Sequence, residues 1–235
     1  MKHVSLLVLF IAGVAAAGLG QDDRAGERRR MVERHIAAEG ISNEAVLAAM
    51  RAVPRHEFVP SEHRGRAYAN RPLPIGHGQT ISQPYVVAYM TEVLELEEDD
   101  RVLEIGAGSG YQAAVLAEIA EAVYTIEIVE ALARTARRRL ERLGYDNVEV
   151  TQGDGYFGRP EHAPFDAIIV TAAAGHIPSP LVEQLRPGGR MVIPVGPVYA
   201  VQNLILVTKD HDGEVGTEQL LPVRFVPMTG RAQER

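Results

Sequence analysis

Three glycines at alternate positions form the part of this chain best suited to hold a ligand. Gly106, Gly108 and Gly110 follow the apolar run Val102–Ile105 and precede a segment with helical periodicity. Glycine tolerates positive φ angles and lets a ligand approach the backbone, because it carries no side chain. A helix that begins there offers unpaired N–H groups to a polar ligand. The third glycine comes one residue earlier than in the dinucleotide fingerprint G-x-G-x-x-G, which disfavours a hydride-transferring enzyme.

Acidic residues stand at or beside the ends of three successive apolar segments. Glu104 precedes the glycine turn, Glu127 ends the next segment, and Asp154 follows the third, with Gly155 beside it. A carboxylate at the second position can accept hydrogen bonds from both hydroxyls of a ribose, and Asp154 could accept one from an adenine amino group. A single such acid is more often an ordinary loop residue, but the repeated spacing favours a nucleoside site, and we include Gly155 in it.

The pattern E-x-G-x-G-x-G that begins at Glu104 resembles the first motif of methyltransferases that use S-adenosylmethionine (SAM). SAM carries a sulfonium and an ammonium group, so acidic surroundings suit it better than they suit a pyrophosphate. The alternative is an ordinary junction between a strand, a turn and a helix.

Strand-like and helix-like segments alternate from residue 101 onward, which predicts an α/β fold with a doubly wound, mostly parallel sheet. The resemblance implies the Rossmann-like form of the SAM-dependent methyltransferases. The last strands, of which Leu220–Val226 is the final one, follow each other without helices and predict an antiparallel edge. We divide the chain into a leader, residues 1–20, a helical and loop-rich extension on the substrate side, residues 21–100, and a SAM-binding core, residues 101–235. The last two form one compact catalytic domain, and residues 53–80 are expected to be loop.

The composition excludes several classes of site. The chain has no cysteine, so disulfides, thiolate nucleophiles and cysteine-based metal sites are ruled out. Its eight histidines are scattered without the spacing of a metal site, and no metal is predicted. A formal net charge of −7 makes nucleic acid a poor partner.

The first residues have the form of an export signal. A short basic start precedes an apolar stretch and the small residues Ala15–Gly18. An uncleaved anchor or a misassigned start is the alternative. The location is therefore undecided between the cytoplasm and an exported compartment, and no stable membrane association is expected if the leader is removed.

Several further motifs resemble the protein-L-isoaspartate O-methyltransferases, which repair damaged proteins. The most specific is the segment Arg71–Tyr85, and others are Val53–Pro60, Pro187–Gly196 and Val223–Met228. Together with the glycine turn they cover roughly residues 30–230, in the order of that family. The resemblance implies methyl transfer from SAM to the α-carboxylate of L-isoaspartyl residues in damaged proteins.

The same resemblance assigns the catalytic role to Ser82, as a hydrogen-bond donor to the substrate carboxylate or to its neighbouring amide. From its position alone, Ser82 could instead cap the helix that starts at Gln83-Pro84. The other residues predicted to bind substrate are Gln79, Thr80, His77, Ala172 and Val223. Val223 belongs to a segment, Val223–Val226, that could bind the substrate peptide as a strand edge.

Two other functions remain possible from the sequence. One is a methyltransferase that acts on another carboxylate or on a small molecule, and the other is a non-catalytic exported protein that has kept the fold. The intact glycines and acids argue against the second. A monomer is expected.

Overall fold

The computed structural model describes residues 24–197 and 199–233. The predicted leader, residues 1–20, lies outside these residues. No helix in the described ranges is long and apolar enough to cross a membrane.

Seven strands form one sheet in the order β5-β4-β3-β6-β7-β8-β9. The first five of these in space are parallel, while β8 is antiparallel to both of its neighbours, β7 and β9. The Rossmann-like fold and its antiparallel edge are confirmed. The strands are β3 (Arg101–Ile105), β4 (Ala122–Glu127), β5 (Val148–Gln152), β6 (Phe165–Val170), β7 (Leu185–Val195), β8 (Gln202–Lys209) and β9 (Val215–Val223).

Helices cover both faces of this sheet. Those of the amino-terminal part are α1 (Ala25–His35), α2 (Glu44–Ala52) and α3 (Pro84–Glu92), and those of the sheet crossovers are α4 (Tyr111–Ala117), α5 (Glu130–Leu143) and α6 (Ser179–Gln184). Successive side chains of a strand point to opposite faces. Val102 therefore joins a core with α1 to α5, whereas Leu103 joins a second core with Leu181 of α6.

The extension before residue 101 shares a continuous core with one face of the sheet, because side chains such as Met50 and Met90 join the same cluster as Val102. It contains structure that the sequence did not predict. Residues 53–80 hold two short 3₁₀ helices and the hairpin of β1 (Leu73–Gly76) and β2 (Gln79–Ile81).

The last strand starts and ends earlier than predicted, at Val215–Val223 instead of Leu220–Val226. It returns from β8 through a tight turn, in which the Gly213 N–H donates to the Asp210 carbonyl. Its first five residues are exposed at the sheet edge, and only Val215 among them has a large apolar side chain, so no hydrophobic pattern marks them.

The chain order reverses between β3 and β6, which are adjacent in the sheet although β4 and β5 intervene in sequence. Ligands of such sheets bind beyond the carboxyl ends of the strands at this switch point. The fold therefore places the candidate site after Ile105 and after Val170.

Candidate active site

A cleft of about 800 Å³ lies at the switch point. Its floor is the glycine turn after β3, and its walls include the end of β4 and the β2–α3 segment. The predicted site residues that line it are Gln79, Thr80, Ser82, Glu104, Gly106, Gly108, Glu127, Gly155 and Ala172. The structure thus brings together residues from five separate stretches of the chain.

The turn after β3 needs glycine at its first position. Gly106 has a φ of +99°, and a Cβ atom there would lie 2.6 Å from the Thr171 hydroxyl oxygen. That hydroxyl donates to the Gly106 carbonyl over 2.7 Å, so Thr171 fixes the turn against β6. Gly110, by contrast, does not line the cleft. It is the N-cap of α4 and lies against Leu140 of α5.

Glu127 joins the glycine turn to the end of β4. One carboxylate oxygen accepts from the Gly108 N–H over 2.7 Å, and the other accepts from the Val129 N–H over 2.9 Å. Each oxygen has a second lone pair. The carboxylate therefore holds the floor of the cleft and can still accept hydrogen bonds from a ligand.

Glu104 presents a buried carboxyl group to the same cleft. The Thr125 hydroxyl donates to its Oε2 atom, while its Oε1 atom has no partner among the described residues. Its surface is 0% exposed. Burial raises the pKa of Glu104 to about 8, against the lowering effect of Thr125, and the nearby Glu127 raises it further. A cationic group in the cleft would satisfy Oε1 and favour the ionised carboxylate.

Ser82 is half-buried between this cleft and a second cavity. Its hydroxyl makes no hydrogen bond with the described residues. The N-cap of α3 is Gln83, whose side chain makes no cap hydrogen bond, and the Tyr85 N–H in the first turn donates to the Asn70 Oδ1 atom over 3.2 Å. The alternative that Ser82 serves as the helix cap is therefore wrong. The hydroxyl remains available to a ligand.

The second cavity has about 1140 Å³ of empty space and opens beside the first. The residues that line both are Thr80, Ser82, Thr171 and Val226. Val223 lines only the second cavity, as the last residue of β9. A ligand in one cavity and a ligand in the other would therefore meet at Ser82.

Comparisons with known proteins identify the family. The family model of the protein-L-isoaspartate(D-aspartate) O-methyltransferases matches residues 27–233. The chain is 56% identical over 234 residues to protein-L-isoaspartate O-methyltransferase 2 of Syntrophobacter fumaroxidans, covering 96% of this chain and 95% of the relative. The chain belongs to the protein-L-isoaspartate O-methyltransferase family.

Solved structures agree with this assignment. A protein-L-isoaspartate O-methyltransferase superposes with a TM-score of 0.80 at 31% identity, over 88% of this chain and 67% of the other. A family member from Plasmodium falciparum, in complex with S-adenosyl-L-homocysteine (SAH), superposes with a TM-score of 0.75 at 26% identity, over 86% of this chain and 98% of the other.

The cleft of this methyltransferase suits SAM as the methyl donor. The Oε1 atom of Glu104, which has no partner in the described part of the chain, would suit the ammonium group of SAM, and the Glu127 carboxylate would suit its ribose. No group of three or more histidine or acidic residues within the described ranges could hold a metal ion.

The side chain of Asp154 accepts two main-chain hydrogen bonds that the sequence did not predict. Its Oδ1 atom accepts from the Tyr156 N–H over 3.0 Å, and its Oδ2 atom accepts from the Arg231 N–H over 2.8 Å. It does not line the cleft, although Met228 and Thr229, just before Arg231, do. The contact of Asp154 with adenine stays a prediction. The structure shows instead that Asp154 binds the carboxyl-terminal segment at Arg231.

The Gly230→Ala substitution is expected to weaken SAH binding about tenfold. Gly230 has a φ of +84°, and a Cβ atom there would lie 2.4 Å from the Asp154 Oδ2 atom. An L-residue in this conformation costs on the order of 1–3 kcal/mol, so the segment would move away from the cleft. Isothermal titration calorimetry with SAH measures the change.

Gly213→Ala is the matched control for this substitution. Gly213 has a φ of +88° but open space around its Cβ position, so the control carries the backbone strain without the collision. Equal SAH affinity of the two variants would show that the segment does not shape the cleft.

Two predicted substrate-side features are placed differently from the expectation. His77 lies in the exposed turn between β1 and β2, with a φ of +53°, and lines neither cavity. The edge at Val223–Val226 is partly occupied, because the Val226 carbonyl accepts from the Ala173 N–H over 2.8 Å. The Phe225 N–H donates to the Gln202 side chain over 3.0 Å. A peptide cannot use these two main-chain groups as a free strand edge.

The candidate active site also contains residues that were not predicted from the sequence. Tyr111 and Met228 line the first cleft, and the side chain of Arg55 lies directly behind Ser82. Tyr111 directly follows Gly110 of the glycine turn, and this position in the sequence could have identified it as a site residue. Arg55 lies in the motif Val53–Pro60, but the motif does not show its contact with Ser82, which joins residues far apart in sequence.

Proposed function

We propose that this chain transfers the methyl group of SAM to the α-carboxylate of L-isoaspartyl residues in damaged proteins. The observation that carries the proposal is the free Ser82 hydroxyl where the two cavities meet. One cavity has the acidic and glycine groups that suit SAM, and the other is open enough to accept a peptide. Methyl donor and acceptor would face each other at this junction.

SAM, when bound, supplies an activated methyl group. The acceptor carboxylate is already ionised near neutral pH, so the enzyme needs no strong general base. This agrees with a junction that offers the hydroxyl groups of Thr80 and Ser82 and that no histidine lines. The protein accelerates the reaction mainly by holding the reacting groups in line.

Ser82 orients the acceptor in this mechanism. Its hydroxyl donates a hydrogen bond to one carboxylate oxygen or to the neighbouring amide, which leaves the other oxygen directed at the methyl group. Gln79 and Thr80, which lie in β2 before Ser82, shape the same wall. Ala172 after β6 has a small side chain and leaves room for the substrate main chain.

The proposal predicts selective methylation of an isoaspartyl peptide. Purified protein should transfer labelled methyl groups from SAM to that peptide at least about a hundredfold faster than to its aspartyl twin, because only the isoaspartyl form places its α-carboxylate at the junction. Scintillation counting of the two peptides measures the ratio. Equal labelling would instead favour a methyltransferase for other carboxylates, and no labelling of either would favour a protein without this activity.

The enzyme is further proposed to act as a monomer and without nucleic acid. The net charge of −7 opposes binding to a polyanion. Sedimentation analysis of the purified protein tests the first statement. Mass spectrometry of the native amino terminus would decide between export and the cytoplasm.

A further inference from the structure

Arg55 is a fully buried cation that no acid neutralises. Its surface is 0% exposed, and no carboxylate among the described residues pairs with it. Burial lowers the pKa of Arg55 to about 10, which still leaves the guanidinium charged at neutral pH. A buried charge without an opposite charge is expensive for a fold. Stability alone therefore does not explain why the fold keeps a charged side chain at Arg55.

The hydrogen bonds of Arg55 lead to the candidate catalytic serine. Its Nη2 atom donates to the Ser82 carbonyl over 2.7 Å, and its Nε atom donates to the Ala67 carbonyl over 2.8 Å. The Nη1 atom is buried and has no hydrogen-bond partner within the described ranges. The rigid guanidinium fork thus ties the main chain at Ser82 to that at Ala67, and Arg55 itself lines neither cavity.

The same guanidinium lies against the helix that follows the glycine turn. Its carbon atom is 4.9 Å from the centre of the Tyr111 ring, close enough for a cation–π interaction. Tyr111 is the first residue of α4 and lines the methyl-donor cleft. Arg55 therefore contacts both the element that carries Ser82 and the element that starts at the glycine turn.

We propose that Arg55 is a positioning residue, which fixes Ser82 relative to the glycine turn and so aligns the acceptor carboxylate with the methyl donor. The inference rests on the proposed function. It explains why the fold keeps a charged side chain where an apolar one of similar volume would avoid the cost of burial. Arg55 itself touches neither reactant.

Arg55→Met and Arg55→Lys test this role. Methionine removes the charge and both hydrogen bonds, and kcat for an isoaspartyl peptide should fall about thirtyfold or more, because small misplacements of reacting groups have large effects on rate. SAH affinity should change less than about threefold, since the groups that hold it remain. Lysine keeps the charge but lacks the planar fork, so it should restore only part of kcat.

Arg159→Met is the matched control. Arg159 is also a buried arginine, but it pairs with Glu149 and Glu161 and lines neither cavity. The control should lower the melting temperature and leave kcat per folded molecule unchanged. Activities of all variants are normalised to the folded fraction measured by circular dichroism.

The outcomes separate the inference from the proposed function. A wild-type protein that does not methylate the isoaspartyl peptide would refute the proposed function and the inference with it. With an active wild type, the inference alone is overturned if Arg55→Met keeps kcat within about threefold, or if it loses SAH affinity in proportion to kcat. It is also overturned if neither Arg55 variant folds, because Arg55 would then serve the fold.

Discussion

Glu104→Gln is expected to weaken SAH binding roughly fiftyfold, because a charged hydrogen-bond partner contributes about 1.5–3 kcal/mol. Glutamine keeps the size of the side chain but cannot become an anion. Glu104 lines the cleft and its Oε1 atom has no partner among residues 24–197 and 199–233, so the ammonium group of the ligand is its expected partner. Isothermal titration calorimetry at pH 8 measures the loss.

The same substitution is expected to stabilise the protein at pH 8 by about 5 °C or more in melting temperature. The folded-state pKa of Glu104 is about 8, above its ordinary value of 4.5. In the unfolded chain the carboxyl group of Glu104 loses its proton near pH 4.5, whereas in the folded protein it keeps the proton until about pH 8. The free energy of unfolding is therefore unaffected below pH 4.5 and falls as the pH rises from there toward 8. Glutamine does not titrate, and the advantage of the variant should therefore grow across this window.

The wild-type affinity for SAH should rise with pH in the same window, by up to about tenfold per pH unit, and level off near pH 8. Binding requires the ionised carboxylate, whose fraction increases up to its pKa. The Glu104→Gln variant should show a flat profile. Glu121→Gln removes an exposed acid and should behave like the wild type. A flat wild-type profile would contradict the assignment of Glu104 to the ammonium group.

Ser82→Ala is expected to lower kcat for an isoaspartyl peptide about a hundredfold, while the dissociation constant for SAH stays within about twofold. The hydroxyl is free in the structure and lies where the two cavities meet, so its loss should affect the orientation of the acceptor. Steady-state kinetics with the peptide and calorimetry with SAH measure the two quantities.

Ser61→Ala is the control for this variant, because Ser61 is exposed in a short 3₁₀ helix and lines neither cavity. It should keep the wild-type kcat. A Ser82→Ala protein with normal kcat, or one whose loss of kcat equals its loss of SAH affinity, would remove Ser82 from the substrate side of the site.

The two predictions concern opposite ends of the same site. Glu104 determines how tightly the methyl donor is held and how that depends on pH, whereas Ser82 determines how the acceptor meets it. Calorimetry with SAH and kinetics with the peptide distinguish a variant that has lost affinity for the methyl donor from one in which only kcat is lower. Together they test whether the two cavities act as one active site.

The sequence predicted the parallel part of the sheet well because the signals there are local. The sequence pattern predicts a strand over Ala122–Glu127 and a helix over Glu130–Leu143, and β4 and α5 have these bounds, since each has a continuous periodic pattern between clear turns. The hairpin of β1 and β2 was missed because both strands are short and β1 contains a proline and a glycine. The polar edge strand β9 was misplaced because its pairing with β8, and not its own pattern, makes it a strand.

The sequence by itself determined the glycine floor and the acidic residues at the strand ends, because backbone geometry and strand periodicity act over a few residues. Only the tertiary structure decided which contacts those residues make and how deeply they are buried. It placed Asp154 against the carboxyl-terminal segment, buried Glu104 so that its pKa rises, and set Arg55 behind Ser82. Burial and contacts between distant residues arise from packing of the whole chain, and no local pattern encodes them.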